Sequence, residues 1–267
     1  MYPTSKVGIS FNYLANGKTN LIQDYIESSK LYVYNRETEE LIQSFQVKRE
    51  MLQSTNSFSI KLPTGDYTVV AVGNASDRTS IKYVSYLHNA RVASPEYHKK
   101  QGLKSNDALY IARKDLTVDS NEKETHLILD FKSAHIKFDV HVRGLSSIPS
   151  FRVENLIPEV DFNNDETHAP NKTYSPPMFA NDQHNTFQAR FNTLRIHLDH
   201  EVLIHFTPKS TAHAYTLNLN KFLAQKLPKV SLAQQEILIP ILVNYDAVEI
   251  TAEVPNWVTV PIVPGVE

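Results

Sequence analysis

A chain of 267 residues, 41% hydrophobic and 21% charged, is long enough for one large or two ordinary domains with real cores. A formal net charge of −2 without a basic stripe gives no electrostatic case for a nucleic-acid partner. The absence of cysteine excludes disulfides, thiolate metal sites and a cysteine nucleophile. Seven glycines against 13 tyrosines and 12 phenylalanines argue against glycine-rich phosphate loops and for pleated sheet. Met1–Lys6 hold no apolar leader core and no later segment reaches the length of a membrane span, so an exported protein is expected to be represented here by its mature part.

Period-two alternation governs the first half. Val7, Ile9, Phe11 and Tyr13 share one face of a strand. Leu31–Asn35 and Leu41–Gln46 flank the turn-like Arg36–Glu40 and read as a hairpin. Phe58, Ile60 and Leu62 alternate next, Pro63-Thr64-Gly65-Asp66 supplies turn chemistry, and Tyr67–Asn74 resumes as a strand. Ser94-Pro95-Glu96 has the form of an N-cap with proline at the first helical position, with Gly102 closing a short helix. Asp107–Ala112 reads as a brief strand.

Leu127, Leu129 and Phe131 share a face, and so do Ile136, Phe138, Val140 and Val142. Between the latter, His135, Lys137, Asp139 and His141 are expected on a solvated face. The break at Lys132-Ser133-Ala134 places a domain boundary near residue 132, giving domains 1–132 and 133–267 joined by one extended segment. Further strands are expected at Phe151–Asn155, Phe187–Phe191, Leu194–Leu198, Val202–Phe206, Tyr215–Leu219, Ile237–Val243, Val248–Ala252 and Trp257–Val260. Asn220–Lys226 is a short helix, and Pro158–His184 reads as a long loop without apolar period. Many short strands and no βαβ rhythm predict an all-β chain of two sandwiches.

Candidate chemistry is sparse. His197, His200 and His205 surround a turn with Glu201 at its tip, yet lack zinc-enzyme spacing and read first as the polar face of a hairpin. Asp161, Asn163 and Asp165 alternate as calcium ligands would, but Glu166 stands where the calcium loop needs glycine and Lys172 where it needs glutamate. No Gly-x-Ser-x-Gly elbow and no nominated carboxylate pair support hydrolysis. The lone Trp257 reads as a core anchor, while Tyr83, Tyr86 and Tyr97 are candidates to stack on a glycan. Asn74-Ala75-Ser76 and Asn171-Lys172-Thr173 fit the glycosylation triplet. No metal, cofactor or catalytic residue is nominated.

The order of elements resembles the FimB-type fimbrial anchor and fimbrillin-like family of Bacteroidales. The resemblance rests on Leu31-Tyr32-Val33-Tyr34-Asn35, on Leu62-Pro63-Thr64-Gly65-Asp66-Tyr67 running to Gly73-Asn74, on Asp107-Ala108-Leu109-Tyr110, on Leu127–Val142 and on Tyr245-Asp246 through Trp257. Asn35 and Thr64 depart from the family's aspartate and second proline, and the lipobox cysteine is missing: either the chain begins after it or this member is not lipid-anchored. The resemblance implies two tandem transthyretin-like Greek-key sandwiches in an exported cell-surface or outer-membrane subunit. It also implies partner fimbrial subunits, a host protein or glycan ligand, and polymerisation by strand exchange. The strand-exchange candidates are Val7, Ile9, Phe11 and Tyr13, on a strand expected at an edge, and Trp257, Val258, Val260 and Ile262 in the apolar C-terminal run, which otherwise reads as the last strand of its sandwich. The alternative is a surface carbohydrate-binding protein of a glycan-uptake system.

Overall fold

The computed structural model describes residues 4–53, 58–97, 102–119, 121, 123–196, 200–209, 213–246 and 248–258. The first ten strands are β1 (Thr4–Asn12), β2 (Ser28–Asn35), β3 (Leu41–Lys48), β4 (Phe58–Pro63), β5 (Gly65–Gly73), β6 (Ser80–Lys82), β7 (Arg91–Ala93), β8 (Tyr110–Val118), β9 (Glu124–Asp130) and β10 (Lys132–Ser133). The remainder are β11 (His135–Arg143), β12 (Ser150–Leu156), β13 (Glu159–Val160), β14 (Lys172–Tyr174), β15 (Phe179–Asn181), β16 (Thr186–Leu194), β17 (Leu203–Thr207), β18 (Tyr215–Asn218), β19 (Leu238–Tyr245) and β20 (Ile250–Glu253). Helix is confined to α1 (Ile22–Tyr25), α2 (Arg49–Gln53), α3 (Leu219–Lys226) and a single 3₁₀ turn at Leu87–Asn89. The chain is all-β, and it divides into two compact units.

Unit 1 comprises residues 1–95, 107–134 and 159–167. Its sheets run β4-β1-β9 and β10-β8-β5-β2-β3, and the alternate residues of both meet in one core containing Val7, Ile9, Leu31, Val33, Val69 and Leu129. Two sheets sharing a core make a sandwich. The expected hairpin is β2–β3, paired antiparallel from Ser28↔Lys48 to Tyr34↔Leu41. At its turn the Asn35 side chain accepts hydrogen bonds from the amides of Glu37 (2.9 Å) and Thr38 (2.8 Å), which an aspartate at that position would do equally.

The remaining residues of the family-like strings also have physical reasons. The Tyr67 hydroxyl donates to the Pro63 carbonyl (2.9 Å), pinning the corner at which the chain leaves one sheet for the other. A side chain on Gly73 would meet Ile26 at 3.0 Å and Tyr110 at 3.4 Å, so close packing requires glycine there. Asn74 adopts φ +59°; its amide donates to the carbonyls of Tyr25 (2.7 Å) and Ala108 (3.1 Å) and accepts from the Glu27 amide (2.8 Å). One side chain thus ties three segments together, and the same engagement leaves the Asn74 amide unsuited to carry a glycan.

The middle of the outer face of the five-stranded sheet is buried, at Tyr32, Tyr34, Thr68, Val70 and Val72, while its outer rows on β3 and most of β8 are exposed. A small sheet ordered β13-β7-β6 belongs to this unit, and Phe162 is buried with its ring 5.2 Å from that of Tyr32 and 6.3 Å from that of Tyr34. Burial pushes the Tyr32 phenol up to about 12. The long loop expected over Pro158–His184 is therefore corrected: it contains β13, β14 and β15 and buries Val160, Phe162, Tyr174 and Met178. Strands of two or three residues are too short to show a period. The helix expected after Ser94 is corrected as well: Pro95–Tyr97 form a turn, and residues 98–101 lie outside those described.

Unit 2 comprises residues 96–106, 135–158 and 168–267. Its sheets run β15-β16-β11-β19-β20 and β14-β12-β17-β18 around a core in which the Phe138 and Phe191 rings stack at 4.9 Å and 5°. β11 lies between β16, antiparallel, and β19, parallel. β1 repeats this plan, with β4 antiparallel and β9 parallel. The expected helix is α3, capped by the Asn218 side chain, which accepts from the Lys221 amide (3.0 Å). The strand expected over Leu194–Leu198 is corrected: Leu194 ends β16, Arg195 and Ile196 are irregular, and residues 197–199 lie outside those described.

Candidate functional site

The nominated side chains Val7, Ile9, Phe11 and Tyr13 are all buried, Val7, Ile9 and Tyr13 completely. The Phe11 ring lies 6.2 Å from that of Phe131, and Tyr13 stands edge-on to Tyr110 at 4.9 Å and to Tyr25 at 5.4 Å. The edge position expected for this strand is corrected: β1 is the middle strand of its sheet, with Val7 opposite Ile60 of β4 and Ile9 opposite Leu127 of β9. Alternation names the buried face of a strand but not its neighbours. Displacing β1 would open a groove walled by Ile60, Leu62, Leu127 and Leu129 and floored by the opposite sheet.

The other face of β1 is polar. Lys6 pairs with Glu124 at 2.8 Å, and that hydrogen bond holds the Glu124 carboxyl below its ordinary range. The Asn12 amide donates to Asp130 (2.8 Å), and the His126 ring lies over Gly8.

At the other end of the chain, the strand expected over Trp257–Val260 is corrected in its first two residues: Trp257 and Val258 follow β20 in a turn, with the Val258 amide donating to the Pro255 carbonyl (3.2 Å). Val260 and Ile262 lie outside the described residues. Trp257 is half-buried and stands apart from the hydrophobic core rather than anchoring it. Its indole stacks on the His184 imidazole at 4.4 Å and 8°, His141 approaches edge-on at 5.5 Å, and the Arg143 guanidinium carbon lies 5.3 Å from the ring centre. A cleft of about 480 Å³ beside it is lined by Arg143, Asp182, Asn185, Glu253 and Asn256.

The solvated face expected for β11 is corrected in the same region, because His135, Asp139 and His141 are buried. His141 Nδ1 lies 2.9 Å from the Thr186 hydroxyl and its Nε2 lies 3.1 Å from Asp139 Oδ1. Asp139 also accepts from Gln188 (2.5 Å) and Arg190 (3.3 Å). Burial alone would raise this carboxyl, but the hydrogen bonds from His141, Gln188 and Arg190 outweigh it and hold the group down at about 2. The Asp139–His141–Thr186 connectivity is that of a relay ending on a hydroxyl. With Thr186 buried and the carboxylate saturated by three donors, its evident work is to tie β11 to β16.

The remaining candidates separate. Tyr83 is 64% exposed and held at φ +57°, a conformation rarely adopted by a bulky residue. Tyr86 is also exposed, with its ring 5.8 Å from that of His88, which is itself bonded to Glu39. Tyr97 is only partly exposed and lies under the Lys172 ammonium at 5.2 Å. His205 bonds the Thr216 hydroxyl (2.9 Å) and approaches Glu154 (3.2 Å), while His200 lies near Asn171 (3.4 Å). His197 lies outside the described residues. Asp161 closes its own turn by accepting from the amides of Asn163 (2.7 Å) and Asp165 (3.0 Å). Among the described residues no cluster of three metal-ligating side chains occurs, and none of their helices is long and apolar enough to cross a membrane.

Such an arrangement defines an all-β protein of two compact units. The chain belongs to the family described as "Fimbrillin-A associated anchor proteins Mfa1 and Mfa2", whose model matches residues 3–262. Among solved structures it is similar to the fimbrial anchor protein Mfa2 from Porphyromonas gingivalis, at 16% identity over 91% of each chain and a TM-score of 0.71. It is similar also to a candidate adhesin from Bacteroides ovatus, at 16% identity over 100% of this chain and 96% of that one, TM-score 0.74. A candidate polysaccharide-binding protein from Bacteroides thetaiotaomicron matches at 15% identity over 93% of this chain and 95% of that one, TM-score 0.72. At these identities the likeness establishes the fold. No curated protein matches the sequence.

Proposed function

We propose that this chain is a non-catalytic structural subunit of a cell-surface fimbria, an anchor or an accessory tip component, that works by exchange and pairing of strands. In this reading residues 1–132 and 133–267 are two transthyretin-like Greek-key domains, and residues 96–106 and 159–167 are exchanged between them. The partners are other fimbrial subunits and a host protein or glycan. The location is the cell surface, at the outer membrane, through an N-terminal lipid on a cysteine ahead of this chain.

The observation that carries the reading is β1. Its alternate side chains fill a core groove between an antiparallel and a parallel neighbour, and this supports a role in which a strand from another chain takes its place. The C-terminal run Trp257, Val258, Val260 and Ile262 is the matching donor in this proposal. A variant lacking residues 1–13 is expected to lose the cooperative unfolding of unit 1 and to regain it when a synthetic peptide of residues 1–13 is added. Native protein from outer-membrane fractions is expected to carry a lipid and to co-purify with fimbrial subunits. Indifference to loss of the strand, together with a solitary, unlipidated protein, would refute the proposal.

A second reading, a surface carbohydrate-binding protein of a glycan-uptake system, is favoured by Tyr83, which is presented to solvent at a backbone conformation that costs about 1–3 kcal/mol. Here a glycan array is expected to show selective binding that falls about tenfold on Tyr83→Ala. An array without signal removes this reading.

A further inference from the structure

Along one side, β8 is paired with β5 from Gly65↔Val118 to Gly73↔Tyr110. Along the other, β10 covers Tyr110 and Ile111 only. The chain then departs, since the Phe131 amide donates to the Asn12 carbonyl (2.8 Å) in the opposite sheet. Among the described residues no strand occupies the lane beside Ala112–Val118. The Leu109 carbonyl faces this side, accepting from the Ala134 amide (2.8 Å). By the two-residue alternation of a strand, Arg113, Asp115 and Thr117 turn their backbone N–H and C=O groups into the same lane.

A cleft of about 440 Å³ follows this edge, with Arg113, Lys114, Asp115, Asp130, Lys132 and Asn164 in its walls. Its charges are unequally satisfied. Asp115 accepts from the Thr68 hydroxyl (2.7 Å) and lies 3.6 Å from Arg36, while Asp130 accepts from Asn12 (2.8 Å). Arg113 is held by the Asn163 amide oxygen. Lys114 and Lys132 are exposed, and no carboxylate of the described residues pairs with either. The amide oxygen of Asn164 is buried without a donor.

Lys114 is anomalous in another respect. It shares a row with Tyr110, Ala112, Leu116 and Val118, all core residues, yet it emerges from the side of the sandwich. A lysine on the core row of an unpaired edge repels an apolar strand. The same ammonium attracts a strand that brings a carboxylate.

We infer that the β8 edge is a docking lane for an extended acidic segment of a partner protein. The inference rests on the assembly reading and adds to it a second place of contact, distinct from the β1 groove, with a stated chemistry. Main-chain hydrogen bonds form to Arg113, Asp115 and Thr117, Asn164 accepts a further N–H, and carboxylates meet Lys114 and Lys132. Lys132 stands opposite Ile111, three residues from Lys114, so the two carboxylates are about 10 Å apart along the incoming strand.

The test uses the full chain and two fluorescein-labelled ten-residue peptides of valine and threonine, one carrying two glutamates three residues apart, the other lysines at the same places. Fluorescence anisotropy is expected to show saturable binding of the acidic peptide alone. The double variant Lys114→Glu, Lys132→Glu should weaken that binding at least about tenfold and transfer it to the lysine peptide. Hydrogen exchange at the amides of Arg113, Asp115 and Thr117 should slow when the acidic peptide is bound, which surface charge attraction alone would not produce. Because both lysines are exposed, unchanged thermal unfolding of the double variant shows that the loss is not misfolding. Equal binding of the two peptides overturns the inference. So does the absence of binding combined with self-association of Lys114→Val, which would make Lys114 only a guard against edge pairing. Neither result bears on the β1 groove, which is tested by strand removal.

Discussion

Replacing Gly144 with alanine is expected to lower the unfolding temperature of unit 2 by about 10 °C. Gly144 follows β11 at φ +86°, and a Cβ there would lie 2.0 Å from the Tyr245 carbonyl oxygen and 2.9 Å from its carbon. Both atoms are backbone, so no rotamer change relieves the clash. The residue must leave the left-handed region or β11 must part from the end of β19. The left-handed strain costs about 1–3 kcal/mol and the overpacking about as much again, for a total of about 2–6 kcal/mol. At about 2–4 °C per kcal/mol for a protein of this length, calorimetry resolves the effect easily. Gly8→Ala is the internal control. Its new methyl would meet the His126 side chain at 3.1 Å, which can turn away, so a shift of at most a few degrees is expected. Equal shifts for the two variants would contradict the contact assigned to Gly144.

Asp139→Ala should be nearly as costly, at about 2–4 kcal/mol, because it leaves the buried His141 and the donors of Gln188 and Arg190 without their acceptor. The same carboxyl sets an acid limit. It is held at about 2, below the ordinary value of about 4 for an unfolded aspartate. Its contribution is therefore complete above about pH 4 and disappears as the pH falls toward 2. Denaturant titrations of the wild type should lose about 1–2 kcal/mol across that window through this group. In Asp139→Asn that part of the acid dependence is expected to vanish. An acid profile identical in the two proteins would show that Asp139 carries no such linkage.

Where one face of a strand met the core and the sequence alternated cleanly, the pattern was legible. β1, the β2–β3 hairpin, β4 and the apolar row of β11 follow directly from residue order. Legibility failed where a polar row is buried. His135, Asp139 and His141 alternate as a solvated row would, yet they are buried: His141 meets Trp257 edge-on and bonds Thr186, and Asp139 accepts from Gln188 and Arg190. It failed again in β8, where Arg113-Lys114-Asp115 interrupts the apolar pattern and hides the second half of a nine-residue strand. That interruption was the one local signal of the docking lane: a lysine where the period demanded an apolar residue. The position of β1 between two neighbours could not be read at all, since pairing partners 50 to 120 residues away leave no trace in a single strand. Trp257 was legible as significant but not in its setting, because a stack on an imidazole has no sequence period.

The allocation of segments bears on how the protein is made. Residues 159–167 belong to unit 1, and Phe162 among them covers Tyr32 and Tyr34. Residues 96–106 belong to unit 2, where the Asn106 side chain receives the Tyr174 hydroxyl at 2.5 Å. Neither unit therefore corresponds to an uninterrupted stretch that could mature while the rest is still being synthesised. The first must wait for residue 167 before its tyrosine face is sealed, and the second cannot complete itself without a strip that ends 29 positions ahead of its own first strand. A gene fragment cut at residue 134 would encode neither unit whole. Recombination between relatives at that point would succeed only where both strips were inherited with their hosts, so the two halves are expected to have travelled through evolution as one heritable block.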